Sequence, residues 1–213
     1  MLRDEAYRKF MDYLLSGRLR PGLLVSQREI CEFTGTSIGA MREALKRLEA
    51  EGIVQLIPQR GVIVREPSVE EINDVYEMRG FVEPLAARRY AQNGDPERIK
   101  QVRRETSAIV ERKAGTPEEI AVLSRERSLI DDRMHEVILS VLENDVVDEV
   151  FDRLRNVVQI SRIALPPRFL NSLPGLREHL LIIDAILDRD GDAAERLMND
   201  HIEKGRRRSV GID

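Results

Sequence analysis

Apolar residues recur three and four positions apart at the start of the chain. From Glu5 to Leu15 this spacing predicts an amphipathic helix that stops at Gly17. Ser26, followed three residues later by Glu29, forms a capping box that predicts the start of a second helix. That helix is expected to end near Thr34-Gly35, because glycine commonly follows the last helical turn.

A third helix and a hairpin complete the pattern of the first 65 residues. Ser37 is expected to begin the helix and Gly52 to end it. Two β-rich runs follow, Ile53–Ile57 and Val62–Val64, and Pro58-Gln59-Arg60-Gly61 separates them, which predicts a hairpin. Three helices followed by a hairpin is the order of elements in a winged helix-turn-helix.

The rest of the chain has an almost wholly helical pattern. Glu66-Pro67-Ser68 predicts a linker, and Ser68 with Glu71 forms another capping box. Capping side chains precede prolines at Asp95-Pro96 and Thr116-Pro117. Further breaks are predicted at Asn93-Gly94, Gly115, Pro166-Pro167, Pro174-Gly175 and Gly191. The predicted fold is mainly α, with a winged helix domain over residues 1–67 and an all-α antiparallel bundle of about six helices over residues 68–213.

Composition and charge narrow the class of protein. The 213 residues are 42% hydrophobic and 34% charged, as in soluble globular proteins, and Cys31 as the single cysteine excludes a disulfide framework. No apolar run approaches the roughly 18 residues of a membrane span, and the charged N-terminus is not a signal peptide, so a cytoplasmic location without a membrane partner is expected. Residues 1–68 hold 11 Lys and Arg against 9 Asp and Glu, whereas the remainder holds 23 against 29. A basic N-terminal segment followed by an acidic remainder is compatible with DNA binding.

The third helix carries the candidates for reading DNA, since a helix of this motif enters the major groove. Its polar face offers Ser37, Arg42, Lys46 and Arg47. Arg28 on the preceding helix would hold the flanking phosphates, and Gly61, with Gln59 and Arg60 beside it, would let the hairpin approach the minor groove. The alternative is a winged helix that binds protein and has solvated surface charges. The ordered set favours double-stranded DNA.

The three histidines all lie on apolar helical stripes after residue 130. His135 shares a row with Asp131 one turn earlier, His179 stands among leucines, and His201 stands beside Met198. A single inward histidine is usually a hydrogen-bonded core residue. Three of them with an aspartate predict a site for one divalent metal, for which Zn, Ni and Mn are candidates.

Residues 5–66 also resemble the winged helix of GntR-family repressors. The resemblance rests on the run SIGAMREALKRLEAEGIV at residues 37–54 and on PQRGVIV at residues 58–64. It implies that Arg28, Ser37, Arg42 and Gly61 contact DNA. Where the family usually has an arginine that touches bases, this chain has Ile38, which could instead meet a thymine methyl. The operator sequence typical of the family is therefore not implied.

Residues 70–208 resemble the FCD domain, the ligand-binding module of the FadR branch of these regulators. The resemblance rests on YEMR at residues 76–79 with Glu83, on the spacing of Asp131 and His135, on EH at residues 178–179, and on Gly191-Asp192 before His201. It implies a metal held by Asp131, His135, His179 and His201 and a small carboxylate effector that completes its coordination. Arg79 resembles a pocket-facing position, but it could equally pair with Glu83 on the surface.

Three functions are weighed on these grounds. The first is a ligand-responsive regulator, a repressor more than an activator. It is expected to bind an inverted repeat as a homodimer, because one winged helix makes few DNA contacts and a twofold axis doubles their number. The second is a metal-dependent enzyme, for which no separate acid or base is evident; Glu136 and Glu178 adjoin the ligands. The third is a direct metal sensor. The expectation is a regulator and not an enzyme.

Overall fold

The structure is a computed structural model that describes residues 2–164 and 173–212, and the break expected at Pro166-Pro167 lies outside these ranges. The first part, called the head below, spans residues 2–64. Its elements are α1 Leu2–Leu15, β1 Leu24–Val25, α2 Gln27–Thr34, α3 Ile38–Ala50, β2 Val54–Ile57 and β3 Gly61–Val64. This is the predicted winged helix-turn-helix.

Helix capping in the head follows the sequence. Ser26 and Glu29 form both halves of the capping box, and Gly35 takes a left-handed conformation at the end of α2. The Ser37 hydroxyl accepts from the backbone N–H of Ala40 at the start of α3. Apolar faces of the three helices and the sheet enclose one core, in which Cys31 is buried as a free thiol.

The small sheet contains a strand that the sequence did not reveal. The strand order is β1-β3-β2, with both pairs antiparallel, and Val25 pairs with Val62. Gly61 lies at the start of β3 with φ of 135°, where an added Cβ would clash with the carbonyl oxygen of Val25. Packing of β1 against β3 therefore requires this glycine, whatever its part in approaching DNA.

The second part, called the body, contains six α-helices within the described residues, as predicted. They are α4 Val69–Asn93, α5 Pro96–Glu111, α6 Pro117–Leu139, α7 Asp145–Ala164, α8 Leu173–Leu187 and α9 Gly191–Ser209, with a 3₁₀ turn at Ser140–Leu142. Helix α4 packs against α6, α7, α8 and α9 at the centre of one apolar core. No helix in the described ranges is long and apolar enough to cross a membrane.

Three caps of the body helices were predicted from the sequence, one of them only in part. Asp95 caps α5 and Thr116 caps α6. Ser68 caps α4 through the backbone N–H of Glu71, but the Glu71 carboxylate accepts two hydrogen bonds from Arg65 at 3.0 and 3.1 Å. An arginine before the linker thus replaces the second half of the predicted capping box.

Helix α7 joins the body to the head. Ile160 is buried in the head core and Ile163 packs against it. Asn156 donates to the backbone carbonyl of Glu51, at the end of α3, over 3.5 Å. The head therefore contacts the body through a helix that is distant in sequence, in addition to the linker.

Candidate metal centre and DNA interface

The three histidines converge in the body from three different helices. His135 lies on α6, His179 on α8 and His201 on α9, and their exposed fractions are 7%, 0% and 3%. One ring nitrogen from each lies within 4.8 Å of the others. The Nε2 atoms of His179 and His201 are 3.1 Å apart. The predicted convergence of the histidines on one point is thus seen in the structure.

A carboxylate fixes the orientation of His201. Its Nδ1 lies 2.7 Å from Glu178, which also accepts from Arg208 at 2.9 Å. Burial favours the uncharged ring and lowers the pKa of His201 to about 4, although the bond to Glu178 opposes this change. Burial and the neighbouring His201 also lower the pKa of His179 well below its usual value. Both rings are therefore neutral at neutral pH, with lone pairs available.

Glu83 and Arg79 hold His135 from the side of α4. Glu83 lies 2.6 Å from Nδ1 of His135 and 2.5 Å from Nε of Arg79. Burial would raise the pKa of Glu83, but the Arg79 and His135 charges more than offset it and lower that pKa. Arg79 therefore does pair with Glu83, yet the pair is buried and not on the surface, with Arg79 6% exposed.

Asp131 stands beside the histidines on the fourth side. Its Oδ1 lies 3.5 Å from Nε2 of His179, and its Oδ2 accepts from Arg162 of α7 at 2.7 Å. Burial opposes ionisation, but the Arg162 guanidinium and the histidines lower the pKa of Asp131 far below its usual range. A buried, ionised carboxylate is thus available next to the imidazoles.

A small cavity adjoins this cluster. Its volume is about 20 Å³, which gives room for about one water molecule. Charged and apolar side chains both line it. The lining residues are Arg79, Glu83, Asp131, Asp132, His135, Leu139, Phe151, Leu154, Arg155 and Val158. A larger ligand would have to displace part of this wall.

The donor set fits a divalent transition metal. Neutral imidazoles and a carboxylate are ligands that Zn, Ni and Mn accept, and two nitrogens about 2.1 Å from one ion lie roughly 3.0–3.4 Å apart. The 3.1 Å between the Nε2 atoms of His179 and His201 agrees with this spacing. His179 Nδ1 is moreover buried without a hydrogen-bond partner among the described residues. An ion bound at Nε2 would leave this second ring nitrogen without a partner, so the donor set and its spacing alone carry the fit.

The outer surface of the head brings together most of the candidate DNA contacts. Ser37 begins α3, and Arg42 and Lys46 are exposed along it, where Lys46 meets Glu43 at 2.8 Å. Arg28 on α2 is 85% exposed and lies 3.2 Å from Glu32. Such exposed ion pairs contribute little, so both cations are free to turn towards phosphates.

Arg47 and the hairpin differ from the sequence-based expectation. Arg47 turns towards α1, with its guanidinium carbon 4.2 Å from the centre of the Tyr7 ring and Nε 2.7 Å from Glu51. The tip of the wing is formed by Gln59, which has φ of 61°, and by exposed Arg60. Gly61 itself belongs to β3. Arg60 is therefore the predicted contact closest to the tip.

Sequence reasoning missed the part that Arg162 plays, and it left Glu178 undecided between the site and solvent. Glu178 had a signal, since it directly precedes a candidate ligand, and it proves to be half-buried against His201. Glu136 is exposed. Arg162 had no signal in the local pattern, because its contact with Asp131 depends on how α7 packs against α6.

Both parts of the chain match known protein families. Residues 2–64 match the gntR family of bacterial regulatory proteins, and residues 74–204 match the FCD domain. The chain belongs to the GntR family and carries an FCD domain. Proteins of this kind are DNA-binding transcriptional regulators and not enzymes, so this GntR regulator has the general function expected from its sequence.

Individual relatives agree with this membership. The chain is 25% identical to the HTH-type transcriptional repressor RspR of Escherichia coli (strain K12) over 95% of its own length and 86% of the relative's. It is 24% identical to the Nta operon transcriptional regulator of Aminobacter aminovorans over 89% and 86% of the two chains.

Solved structures show the same fold. A GntR transcriptional regulator from Rhodococcus sp. RHA1 superposes with a TM-score of 0.79 at 22% identity, over 99% of this chain and 98% of that one. Escherichia coli McbR/YncC superposes with a TM-score of 0.73 at 18% identity, over 96% and 94%. At these identities the likeness concerns the fold alone.

Proposed function

We propose that this GntR regulator is a homodimeric repressor whose affinity for an inverted-repeat operator is controlled by a small carboxylate bound at a metal-containing pocket. The observation that carries the proposal is the buried histidine cluster beside Asp131, which is ion-paired with Arg162 of α7, the helix whose Ile160 enters the head core. The name of the similar protein RspR, a repressor, supports the direction of control.

The metal would be held by Asp131, His135, His179 and His201, with Zn, Ni or Mn as candidates. Support comes from the burial of all four side chains, from the neutral rings of His179 and His201, and from the carboxylates that lie against His135 and His201. Ligating histidines typically bond a carboxylate through their second nitrogen, which fixes the ring and its tautomer. The metal would supply a fixed positive charge at the end of the cavity.

The effector would be a small mono- or dicarboxylate. Arg79 and Arg155 line the cavity together with Glu83, Asp131 and Asp132, so the positive charge of a bound metal would be needed to attract an anion there. The apolar wall of Phe151, Leu154 and neighbouring residues would take the carbon skeleton. Arg79 would have to loosen its pair with Glu83 for the acid to enter, since the cavity now holds about one water molecule.

The DNA surface would consist of Arg28, Ser37, Arg42, Lys46, Arg60 and Gly61, with Arg47 as a weaker candidate. Exposure of the cations and the helix-start position of Ser37 support this assignment. Two chain segments, residues 1–67 and 68–213, are proposed as the DNA-binding and the effector-binding domain. Separate core clusters in head and body support that boundary.

The test is operator binding measured by fluorescence anisotropy, using DNA from upstream of the protein's own gene. Small carboxylates are titrated against the protein before and after treatment with a chelator, and its metal content is measured. We expect an acid that changes DNA affinity by about 5–150-fold, the usual range of allosteric coupling. The change should vanish in His135→Ala, while Glu136→Ala, an exposed neighbour on α6, should behave as wild type.

Two outcomes separate the alternatives. An acid that changes the DNA affinity of wild-type and His135→Ala protein equally would show that the metal has no part in the response. A response to added metal alone, with none to any acid, would instead establish the direct metal sensor. An enzyme on this body is not favoured, since its relatives are regulators.

A further inference from the structure

The first turn of α3 exposes a large apolar side chain. Ile38, the first residue of this helix, is 53% exposed, whereas the larger apolar residues further along α3 are buried in the head core. Its neighbours Gly39 and Ala40 add no more than a methyl group to this turn. An added Cβ at Gly39 would have nothing within 4 Å. Within residues 38–40, all of which the structure describes, Ile38 thus carries the one bulky side chain.

Ile38 lies on the same face of α3 as Arg42. The two are four residues apart, a spacing that places side chains one above the other on a helix. In a helix-turn-helix, the N-terminal residues of the recognition helix contact the base edges. A single exposed apolar residue is ordinary on a protein surface, so exposure alone assigns no role to Ile38. Its place at the start of the helix, one turn before Arg42, directs it to the bases.

Two features hold the Ile38 side chain in place. Nε2 of Gln27, on α2, donates to the backbone carbonyl of Ile38 over 3.1 Å, which ties the starts of the two helices together. Isoleucine is branched at Cβ, so few χ1 rotamers are open to it and little side-chain freedom is lost on contact. Ile38 is therefore presented to the major groove as a rigid apolar surface.

We propose that Ile38 contacts the 5-methyl group of a thymine in each half-site of the operator, an inference that rests on the proposed DNA surface. Thymine alone offers a methyl group in the major groove, whereas the other bases offer only hydrogen-bond donors and acceptors there. An isoleucine side chain can neither donate nor accept a hydrogen bond. Against another base it would displace water from a polar edge without replacing the lost hydrogen bonds. Thymine is therefore the favoured base at this position.

The spacing along α3 also predicts where this thymine lies. Four residues of helix rise about 6 Å, at about 1.5 Å each, and successive base pairs are about 3.4 Å apart. Ile38 and Arg42 therefore reach positions roughly two base pairs apart. An arginine in the major groove commonly bonds the O6 and N7 atoms of guanine. Each half-site should thus contain a thymine about one to three base pairs from the guanine that Arg42 contacts.

Deoxyuridine in place of thymidine tests the contact, because it removes the 5-methyl group and keeps the base pair. Fluorescence anisotropy on the operator measures affinity while symmetric pairs of thymines are replaced in turn. Burial of one methyl group corresponds to about fourfold in affinity, so replacement in both half-sites should weaken wild-type binding about 10–20-fold. Ile38→Ala should be insensitive to the same replacement. Val146→Ala, at a 69% exposed position on α7, should respond as wild type.

Cytosine and 5-methylcytosine at the sensitive position give a second measurement. The methylated duplex should bind wild-type protein about 10–20-fold more tightly than the unmethylated one when both half-sites carry the base, whereas Ile38→Ala should bind both alike. To locate the guanine, 7-deazaguanine, which lacks N7, should weaken binding of wild type but not of Arg42→Ala. The sensitive thymine should lie within about three base pairs of that guanine.

The outcomes distinguish this contact from the proposed function. Deoxyuridine that leaves wild-type affinity unchanged at every position would overturn the contact and leave operator binding intact. A loss that is as large in Ile38→Ala as in wild type would do the same, because another residue would then contact the methyl group. Wild-type protein that does not prefer the operator to random DNA would overturn the proposed function together with this inference.

Discussion

Arg162 of α7 donates to Asp131 of α6 over 2.7 Å, so the helix that enters the head core shares an ion pair with the histidine cluster. Two residues earlier on α7, Ile160 is buried among the apolar residues of the head. A change at Asp131 can therefore reach the head through α7. This path does not run through the linker around Pro67, which was the only connection evident in the sequence.

Replacing Arg162 by glutamine should destabilise the metal-free protein more than the metal-loaded protein. Without metal, Arg162 is the cation nearest Asp131, and loss of a charged hydrogen bond costs about 1.5–3 kcal/mol. A bound cation would supply the missing countercharge and reduce that cost. Urea unfolding with and without chelator measures the difference. Arg112→Gln, which breaks a pair with Glu126 whose two side chains are both exposed, is the control. An equal decrease in the free energy of unfolding with and without metal would contradict a metal beside Asp131.

Metal content should separate a ligand from the carboxylate that orients it. His179→Ala should lose the divalent metal while the fold is retained. Glu178→Gln should keep the metal but bind it about 10–100-fold more weakly, because Glu178 only orients His201. Competition with a chromogenic chelator gives the affinities. If Glu178→Gln binds metal as tightly as wild type, Glu178 does not support the site as argued.

Three arginines in the head should respond differently when each is replaced by alanine. Arg42→Ala should cost about 1–3 kcal/mol of operator binding and relax specificity, whereas Arg28→Ala should weaken all sequences about equally. Arg47→Ala should change DNA binding by less than about 0.5 kcal/mol, because its guanidinium lies over Tyr7. Anisotropy titrations on operator and random duplexes measure all three. An Arg47→Ala defect as large as that of Arg42→Ala would place Arg47 in the interface.

Two glycines of the head should have opposite effects on stability. Gly61→Ala should destabilise by about 1–3 kcal/mol, since the site has positive φ and a Cβ would strike Val25. Gly39→Ala in α3 should stabilise by about 0.5–1 kcal/mol, because alanine favours helix and nothing lies within 4 Å of its Cβ. Thermal unfolding gives both values. A neutral Gly61→Ala would show that β1 does not constrain the wing.

Local patterns predicted those elements whose cause is local. Ser26 with Glu29, and Ser37, were identifiable as helix starts because a cap satisfies backbone groups within three residues. The inward direction of His135 also followed from its own helix. Strand β1 was missed because its two residues are too short for any periodicity, and it exists only through pairing with β3. Contacts between distant segments have no local signal.

The environment of the candidate site required the tertiary structure. That Asp131 and the three histidines face inward was evident from spacing, and their convergence confirms the expectation for the histidines. The pairing of Arg79 with Glu83 was foreseen as an alternative, but on the surface. Its burial was not expected, because charged residues are rarely buried. Arg162 was unforeseeable, because its pairing depends on the packing of α7 against α6.

Control of the head by the effector should depend on the contacts of α7. Combining Asn156→Ala with Ile163→Ala removes the hydrogen bond to Glu51 and one apolar contact with the head core, without touching the residues around the cavity. Because a ligand shifts only an equilibrium between states it distinguishes, weaker contact between α7 and the head should lower the coupling. Effector affinity measured by calorimetry should stay within about threefold of wild type, well below the roughly 5–150-fold range of coupling.

DNA affinity without effector should also be nearly unchanged in this double variant, since the exposed face of α3 is untouched. The ratio of DNA affinities with and without effector should fall towards one. Val146→Ala, on the same helix but 69% exposed and outside the head core, should keep the wild-type ratio. A double variant that retains the full ratio would show that these α7 contacts do not carry the signal, which would leave the linker around Pro67 and the ion pair of Arg125 on α6 with Asp12 on α1. The ion pair between Arg162 and Asp131 would then be structural support for the site and not part of its signal.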